Sequence, residues 1–274
     1  VILGLILASL VSAADPERSV NLSLSVDTFC KTELSQFKKL PDLQVDLSKI
    51  CTQAKILEGC QSVNGDPIFH IDFPSHNEKK KKILVFSLIH GDELPAGEVG
   101  RYWLERLSSL ENARNEWRVI PILNPDGLKM KSRLNARGVD LNRNFPTRDW
   151  GEQAHALWKK LNQNPRRYPG DSSNSEPETQ CALKHIEEYK PDLITSVHTP
   201  LGVLDFDGPK VNKKLPYNYL PWKSLGHFPG SLGRYMWFER KVPVLTAEFF
   251  SQPPQTSEPL SQLQDVIGSL VQWL

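Results

Sequence analysis

The chain has 274 residues, 39% hydrophobic and 24% charged, with a formal net charge of +1. That is the make-up of one large globular domain or two small ones. The near-neutral balance gives no reason to expect a polyanion, nucleic acid included, as a partner.

Residues 1–14 form an uncharged apolar run ending in small residues. The run is short for a membrane span of about 20 residues and fits a signal-peptide core with its cleavage site. An exported protein, periplasmic or secreted, is expected, with no integral membrane span beyond that segment. Export permits disulfides. Cys30, Cys51, Cys60 and Cys181 allow three full pairings, and the sequence does not choose among them. Their spacing resembles no zinc knuckle. Residues 15–64 are weakly periodic and read as an N-terminal extension or brace. Phe37, Leu40 and Leu43 are its candidate packing residues against a catalytic domain over residues 65–274.

Residues 67–73 alternate apolar and polar positions, the pattern of a half-buried strand. Four lysines at 79–82 read as a solvated hairpin loop leading to a fully apolar strand over 83–89. That strand runs into His90-Gly91-Asp92-Glu93, and a helix is expected over 96–110. A further strand over 116–123 closes on Asn124-Pro125-Asp126-Gly127, a turn signal. Residues 129–144 are irregular and rich in Arg and Asn. A short helix begins at 154–158. Another opens at Ser175-Glu176-Pro177-Glu178, with Pro in its first turn, and runs to about residue 189. Strands over 192–197 and 242–247 end at His198 and Glu248, with a short strand at 201–205 between them. Residues 210–228 read as a long surface loop of the kind that lines sites. The segment 230–233 leads into a helix through 240, and an amphipathic helix over 257–274 closes the chain. Strands alternating with helices specify an α/β fold. The expectation is a single layered domain with a mixed, mostly parallel twisted sheet flanked by helices.

Three strands thus deliver His90, His198 and Glu248 to carboxyl edges, where open α/β sheets bind ligands. His90, Glu93 and His198 have the donor types of a catalytic zinc site, two imidazoles and a carboxylate with a fourth position for water. Glu248 is the candidate general base, and its apolar neighbours Ala247, Phe249 and Phe250 would tend to raise its pKa. Arg133, Arg137 and Arg143 supply cations that can stabilise an oxyanion or hold a carboxylate.

The order His90-x-x-Glu93, Asn124-Pro125-Asp126-Gly127, Arg133, the string Gly138-Val139-Asp140-Leu141-Asn142-Arg143-Asn144-Phe145, His198 and Glu248 resembles the zinc carboxypeptidase family. The compact His-Gly-Asp-Glu spacing, Ser196-Val197-His198-Thr199-Pro200 and Gly230-Ser231-Leu232-Gly233 are similar to its bacterial murein peptide amidase A branch. The resemblance implies one zinc ion on His90, Glu93 and His198. It implies water activation by Glu248 and polarisation of the scissile carbonyl by Arg133. Asn142 and Arg143 would clamp the substrate's terminal carboxylate, and Asp140 would fix the tautomer of His90. Leu232 falls where the family sets side-chain preference. The chain departs from the digestive members in carrying Asp92 between the first two ligands. Their mobile tyrosine has only Tyr219 and Tyr235 as candidates.

The expected function is therefore zinc-dependent hydrolysis of the γ-D-glutamyl–diaminopimelate bond of murein peptides. Asp92, Asp205 and Asp207 are candidates to meet the amino group of diaminopimelate. The alternative is a broader metallocarboxypeptidase acting on peptidoglycan stems or proteins. Deacylation of N-acyl amino acids fits the clamp but not the extended aromatic loop. A non-catalytic binding module would need a missing ligand or base, and none is missing.

Overall fold

The structure, a computed structural model, describes residues 16–40, 43, 45–211, 216–252 and 254–274. The expected signal segment lies outside the described residues. Helix α1 (Pro16–Ser35) and helix α2 (Leu47–Cys51) precede strand β1 (Lys55–Gln61). Val26, Cys30 and Leu34 recur at the four-residue helical spacing that keeps one face turned inward, and with Phe37 they are buried. Leu40 is buried as well and Leu43 packs partly against the same core. Arg101, itself buried, donates to the carbonyls of Leu34 and Phe37 at 3.1 and 2.6 Å, which answers the open carbonyls at the end of α1.

Strands β2 (Pro67–Phe73) and β3 (Lys82–Ser87) follow, then helix α3 (Leu94–Ser109), strand β4 (Glu116–Ile120) and helix α4 (Pro125–Met130). Helices α5 (Trp150–Lys160) and α6 (Pro177–Tyr189) lead to strands β5 (Leu193–His198) and β6 (Leu201–Asp207). The short helix α7 (Leu232–Arg234) continues as a π-helix over Tyr235–Arg240, before strand β7 (Val244–Phe250) and helix α8 (Glu258–Leu270).

The seven strands form one mixed sheet in the order β1-β2-β4-β3-β5-β7-β6. Strands β4, β3, β5 and β7 run parallel at its centre, and β1, β2 and β6 are antiparallel additions. Buried clusters cover both faces of the sheet here, so β3 and β5 are buried almost throughout, the polar Thr195, Ser196 and His198 included. The expected hairpin between 67–73 and 83–89 does not form: β4 lies between them. A strand apolar on both faces belongs mid-sheet with neighbours on either side, so the lysine segment connects across β4 rather than turning tightly. Lys80 and Lys81 lie at the sheet's rim, paired with Glu116 at 2.7 Å and Asp192 at 3.4 Å. Among the described residues no helix is long and apolar enough to cross a membrane.

Two disulfides fix the pairing: Cys30–Cys51 joins α1 to α2, and Cys60–Cys181 joins β1 to α6. The second closes a sequence separation of 121 residues. Closing so long a loop restricts the unfolded chain strongly. Replacing Cys60 and Cys181 together by Ala is expected to lower the unfolding free energy by about 2–5 kcal/mol. Urea titration checks this, and an unchanged midpoint contradicts it.

Candidate active site

Strand β3 has β4 on one side and β5 on the other, so consecutive crossovers leave in opposite directions from its carboxyl end. Such switch points open a crevice in α/β sheets, and the motif residues meet there. After β3 the chain turns through His90 to Glu93 and enters α3, whose first turn carries Pro95. This turn packs backbone to backbone on the segment after β4. A Cβ on Gly91 would lie 2.0 Å from the carbonyl carbon of Gly127, so no side chain fits there. Asn124 accepts from Gly127 N at 2.8 Å and donates to Ile89 O at 3.3 Å. The Asn-Pro-Asp-Gly signal is thus the capped start of α4 rather than a free turn, and it buttresses the His90 loop.

His90, Glu93 and His198 are buried with exposures of 3%, 7% and 2%, and their ligand atoms all lie within 4.8 Å of one another. Glu93 Oε1 is 2.7 Å from His90 Nδ1, and Glu93 Oε2 is 2.9 Å from His198 Nδ1. The two Nδ1 atoms stand 3.2 Å apart. Nitrogens bound at about 2.0–2.1 Å to one tetrahedral zinc would be separated by roughly 3.3 Å. The far sides of both rings are held. His90 Nε2 donates to Asp140 Oδ1 at 3.1 Å, and His198 Nε2 lies 2.8 Å from Ser196 Oγ. The Asp140 carboxylate accepts only, which leaves the His90 Nδ1 lone pair turned inward, and the Ser196 hydroxyl can accept from His198 Nε2 in the same way.

The charges agree with that fit. Burial would raise the pKa of Asp140, but Arg133 and His90 overcome it and hold the carboxyl well below the usual range. Burial likewise opposes ionisation of Glu93, and His90 and His198 reverse the effect. Burial presses His90 toward neutrality, yet Glu93 and Asp140 outweigh it and raise its pKa. Surroundings that favour a proton at this nitrogen also favour a metal cation in its place. The donor set therefore fits zinc. The other close group among the described residues, Cys60, Cys181 and His185, has both sulfurs joined in a disulfide.

These residues open on a cavity of about 280 Å³, lined also by Arg133, Asn142, Arg143, Arg167, Asp205, Asp207, Phe228 and Glu248. Glu248 is half-buried and pairs in register with His198 on the adjacent parallel strand. Arg133 donates to Asp140 Oδ2 through Nε and Nη2 at 3.1 and 2.9 Å, and its Nη1 reaches 3.1 Å from His90 Nδ1. The Gly138–Phe145 string makes the opposite wall. Asp140 caps a one-turn helix over Leu141–Arg143, which presents Asn142 and Arg143 in succession. Asn142 Oδ1 accepts from Leu232 N at 2.9 Å, which turns its amide NH₂ away toward the cavity. The Arg143 guanidinium lies 4.5 Å from the Phe228 ring centre and donates to Asn142 O at 2.6 Å. Among the described residues no carboxylate forms an ion pair with it. Burial first, then Arg133 and Arg167, lower its pKa to about 10 against the pull of Asp140.

The eight residues given a metal, catalytic, clamp or orienting role by the resemblance are therefore gathered here, whereas Arg137 lies 3.8 Å from Glu176 and does not line the cavity. Several neighbours are placed elsewhere. Leu232 is buried in the core below, and it is Gly233 that borders the cavity. Tyr235 is buried and stacks on Phe145, while Tyr219 packs on Phe250, so neither tyrosine lines the cavity. Asp92 pairs with Arg166 at 2.7 Å and also stays out of it. Ser196, Arg167 and Phe228 were not singled out. Only Ser196 had a readable signal, two residues before His198 on the same strand face.

The fold and this metal-ligand cluster are those of a zinc carboxypeptidase, and the family profile for zinc carboxypeptidase matches residues 43–218. The chain belongs to that family and is a hydrolytic metallopeptidase. Murein peptide amidase A of Escherichia coli (strain K12) is 31% identical over 221 residues, covering 78% of this chain and 88% of that protein. The protein of the same name from Vibrio campbellii is 31% identical over 206 residues, covering 72% and 79%. Among solved structures, murein-tripeptide amidase MpaA from Escherichia coli O157 superposes with a TM-score of 0.55 at 26% identity, over 81% of this chain and 92% of that one. Bovine thrombin-activatable fibrinolysis inhibitor shares the fold at 15% identity, with a TM-score of 0.61 over 92% and 94%.

Proposed function

We propose that this protein is a zinc metallopeptidase of the bacterial envelope that hydrolyses the γ-D-glutamyl–diaminopimelate bond of murein peptides. One observation carries the reading: Arg143, a buried guanidinium that forms no ion pair with a carboxylate among the described residues, faces the same cavity as the His90–Glu93–His198 cluster. A buried cation left unpaired is costly unless a ligand answers it. A terminal carboxylate held in bidentate fashion is the natural answer. The murein substrate is supported by relatives named murein peptide amidase A at 31% identity. Export is supported by the pairing of all four cysteines.

His90, Glu93 and His198 would hold one zinc ion. Zinc bound there would supply Lewis acidity and a water of lowered pKa, toward about 7. Asp140 and Ser196 keep the two imidazoles oriented. Asn142 and Arg143 fix the terminal carboxylate, which sets the scissile carbonyl at the level of Glu248. Arg133 Nη1 donates to the carbonyl oxygen as it gains charge. The Glu248 carboxylate takes a proton from the attacking water and delivers it to the departing amine nitrogen.

The test is product analysis by mass spectrometry with L-alanyl-γ-D-glutamyl-diaminopimelate and an all-L peptide control. Zinc-dependent release of free diaminopimelate, with the control intact, is the expected result. Cleavage of the control alone would make the protein a general metallocarboxypeptidase and overturn the murein assignment.

A further inference from the structure

A second group of metal-capable side chains lies where helix α6 meets β1, and none of its residues lines the catalytic cavity. Cys181 and His185 are four residues apart on α6, so they share one helix face. The Cys60–Cys181 bridge ties that face to β1. The two sulfurs and a ring nitrogen of His185 lie within 4.8 Å of one another, and all three residues are buried. Two donors one helical turn apart can share one metal ion, and here a facing strand adds a third.

The imidazoles at this place are left unanswered. His185 is fully buried, and both its ring nitrogens lack a hydrogen-bond partner among the described residues. The same holds for Nδ1 of the buried His70, whose ring centre is 4.8 Å from that of His185. Buried polar atoms without partners are costly, and in a native core they mark redox or ion-binding places. His70 Nε2 lies 3.6 Å from Asp72 Oδ2. That carboxylate favours the hydrogen on Nε2 and the lone pair on Nδ1. Burial, reinforced by His70 and Arg118, lowers the His185 pKa to about 3. The ring is therefore neutral, the form that binds a metal.

We propose that reduction of the Cys60–Cys181 disulfide converts this group into a second metal site, in which Cys60, Cys181 and His185 bind a zinc-like divalent cation. A dithiol supplies the two electrons and two protons. The S–S bond breaks, both cysteines become thiols, and the dithiol leaves as a disulfide. The cation then displaces both thiol protons to solvent and takes two thiolates and the neutral imidazole. Two thiolate charges cancel the two charges of the ion, so the filled group is neutral, as a dry core requires. Two sulfurs and an imidazole select zinc-like ions over magnesium and calcium, which take oxygen ligands. His70 stands beside His185 as the donor for a fourth position. The bound ion replaces the link between β1 and α6 that reduction removes.

The experiment adds cobalt(II), a coloured stand-in for zinc, to the full chain before and after reduction by a dithiol that is then removed without air. Thiolate ligation gives a near-ultraviolet charge-transfer band, which the His90–Glu93–His198 cluster, having no sulfur, cannot give. The oxidised chain is expected to show no band. The reduced chain gains one that saturates at one cobalt beyond the uptake of the oxidised chain. Zinc abolishes the band and raises the urea midpoint of the reduced chain more than that of the oxidised one. His185→Leu leaves the disulfide in place, and after reduction its cobalt affinity at this site falls by at least about 100-fold, the upper end for loss of a supporting contact at a metal site. Cys60→Ser/Cys181→Ser keeps the Cys30–Cys51 pair and gives no band after the same reduction. A reduced chain without the band overturns the proposal, whether it stays folded or unfolds in the presence of metal. So does a band that persists in the serine variant, which assigns it to Cys30 and Cys51, or a His185→Leu variant that binds cobalt as tightly as wild type.

Discussion

Glu248→Gln is expected to lower kcat about a thousandfold, within the ~10²–10⁴ that a positioned general acid–base contributes, while zinc content stays at the wild-type level. The two halves of this expectation come from different features of the site. Glu248 lies beside His198 in register but is not one of the three residues whose ligand atoms cluster within 4.8 Å. Glutamine keeps the size and can donate a hydrogen bond, but it cannot accept a proton from water. KM is expected to change little, because Asn142 and Arg143 hold the substrate on the other wall. A kcat within tenfold of wild type, with zinc retained, would remove Glu248 from the proposed mechanism.

Arg143→Leu is expected to reduce kcat/KM by about two to three orders of magnitude, roughly 3–4 kcal/mol and inside the ~2–5 kcal/mol lost when a buried hydrogen-bonded charge pair loses one partner. The loss should fall mainly on KM. Arg143→Lys is expected to recover only part, because a point charge lacks the planar fork that meets a carboxylate with two donors. A C-terminally amidated substrate supplies the reciprocal deletion. Wild type should lose on the amide about what the leucine variant loses on the acid, and the variant should no longer distinguish the two substrates. A variant that still prefers the free acid tenfold would place the carboxylate elsewhere.

Much of the site was legible in the sequence because chemistry and topology coincide there. A fully apolar strand must lie mid-sheet, and parallel strands present their carboxyl ends on one edge. His90, His198 and Glu248, each at or just beyond such an end, could therefore be expected to meet. The Asp140–Phe145 string was legible through its resemblance, since nothing in its spacing reveals that it forms the facing wall. Features set by long-range pairing were not legible. The position of β4 between β2 and β3 depends on which neighbour covers the apolar edge of β3. The disulfide pairing depends on where α6 packs against β1, far apart in sequence. Residues 15–64, weakly periodic as a whole, contain a stripe through Val26, Cys30 and Leu34 that gains meaning only against α3 and the sheet. Leu232 and Gly233 illustrate the finest limit. A one-residue difference in alignment decides which of them borders Asp207, and only the fold places Gly233 there.

The most direct test of the account is a zinc titration of the metal-stripped protein, followed by hydrolysis of L-alanyl-γ-D-glutamyl-diaminopimelate and by bound zinc per chain. The account predicts no turnover without metal, a linear rise, and a plateau at one zinc per chain, with His198→Ala failing to reach that plateau. Turnover that persists in the metal-stripped protein, or a His198→Ala variant that binds zinc and hydrolyses the peptide as wild type does, would contradict it.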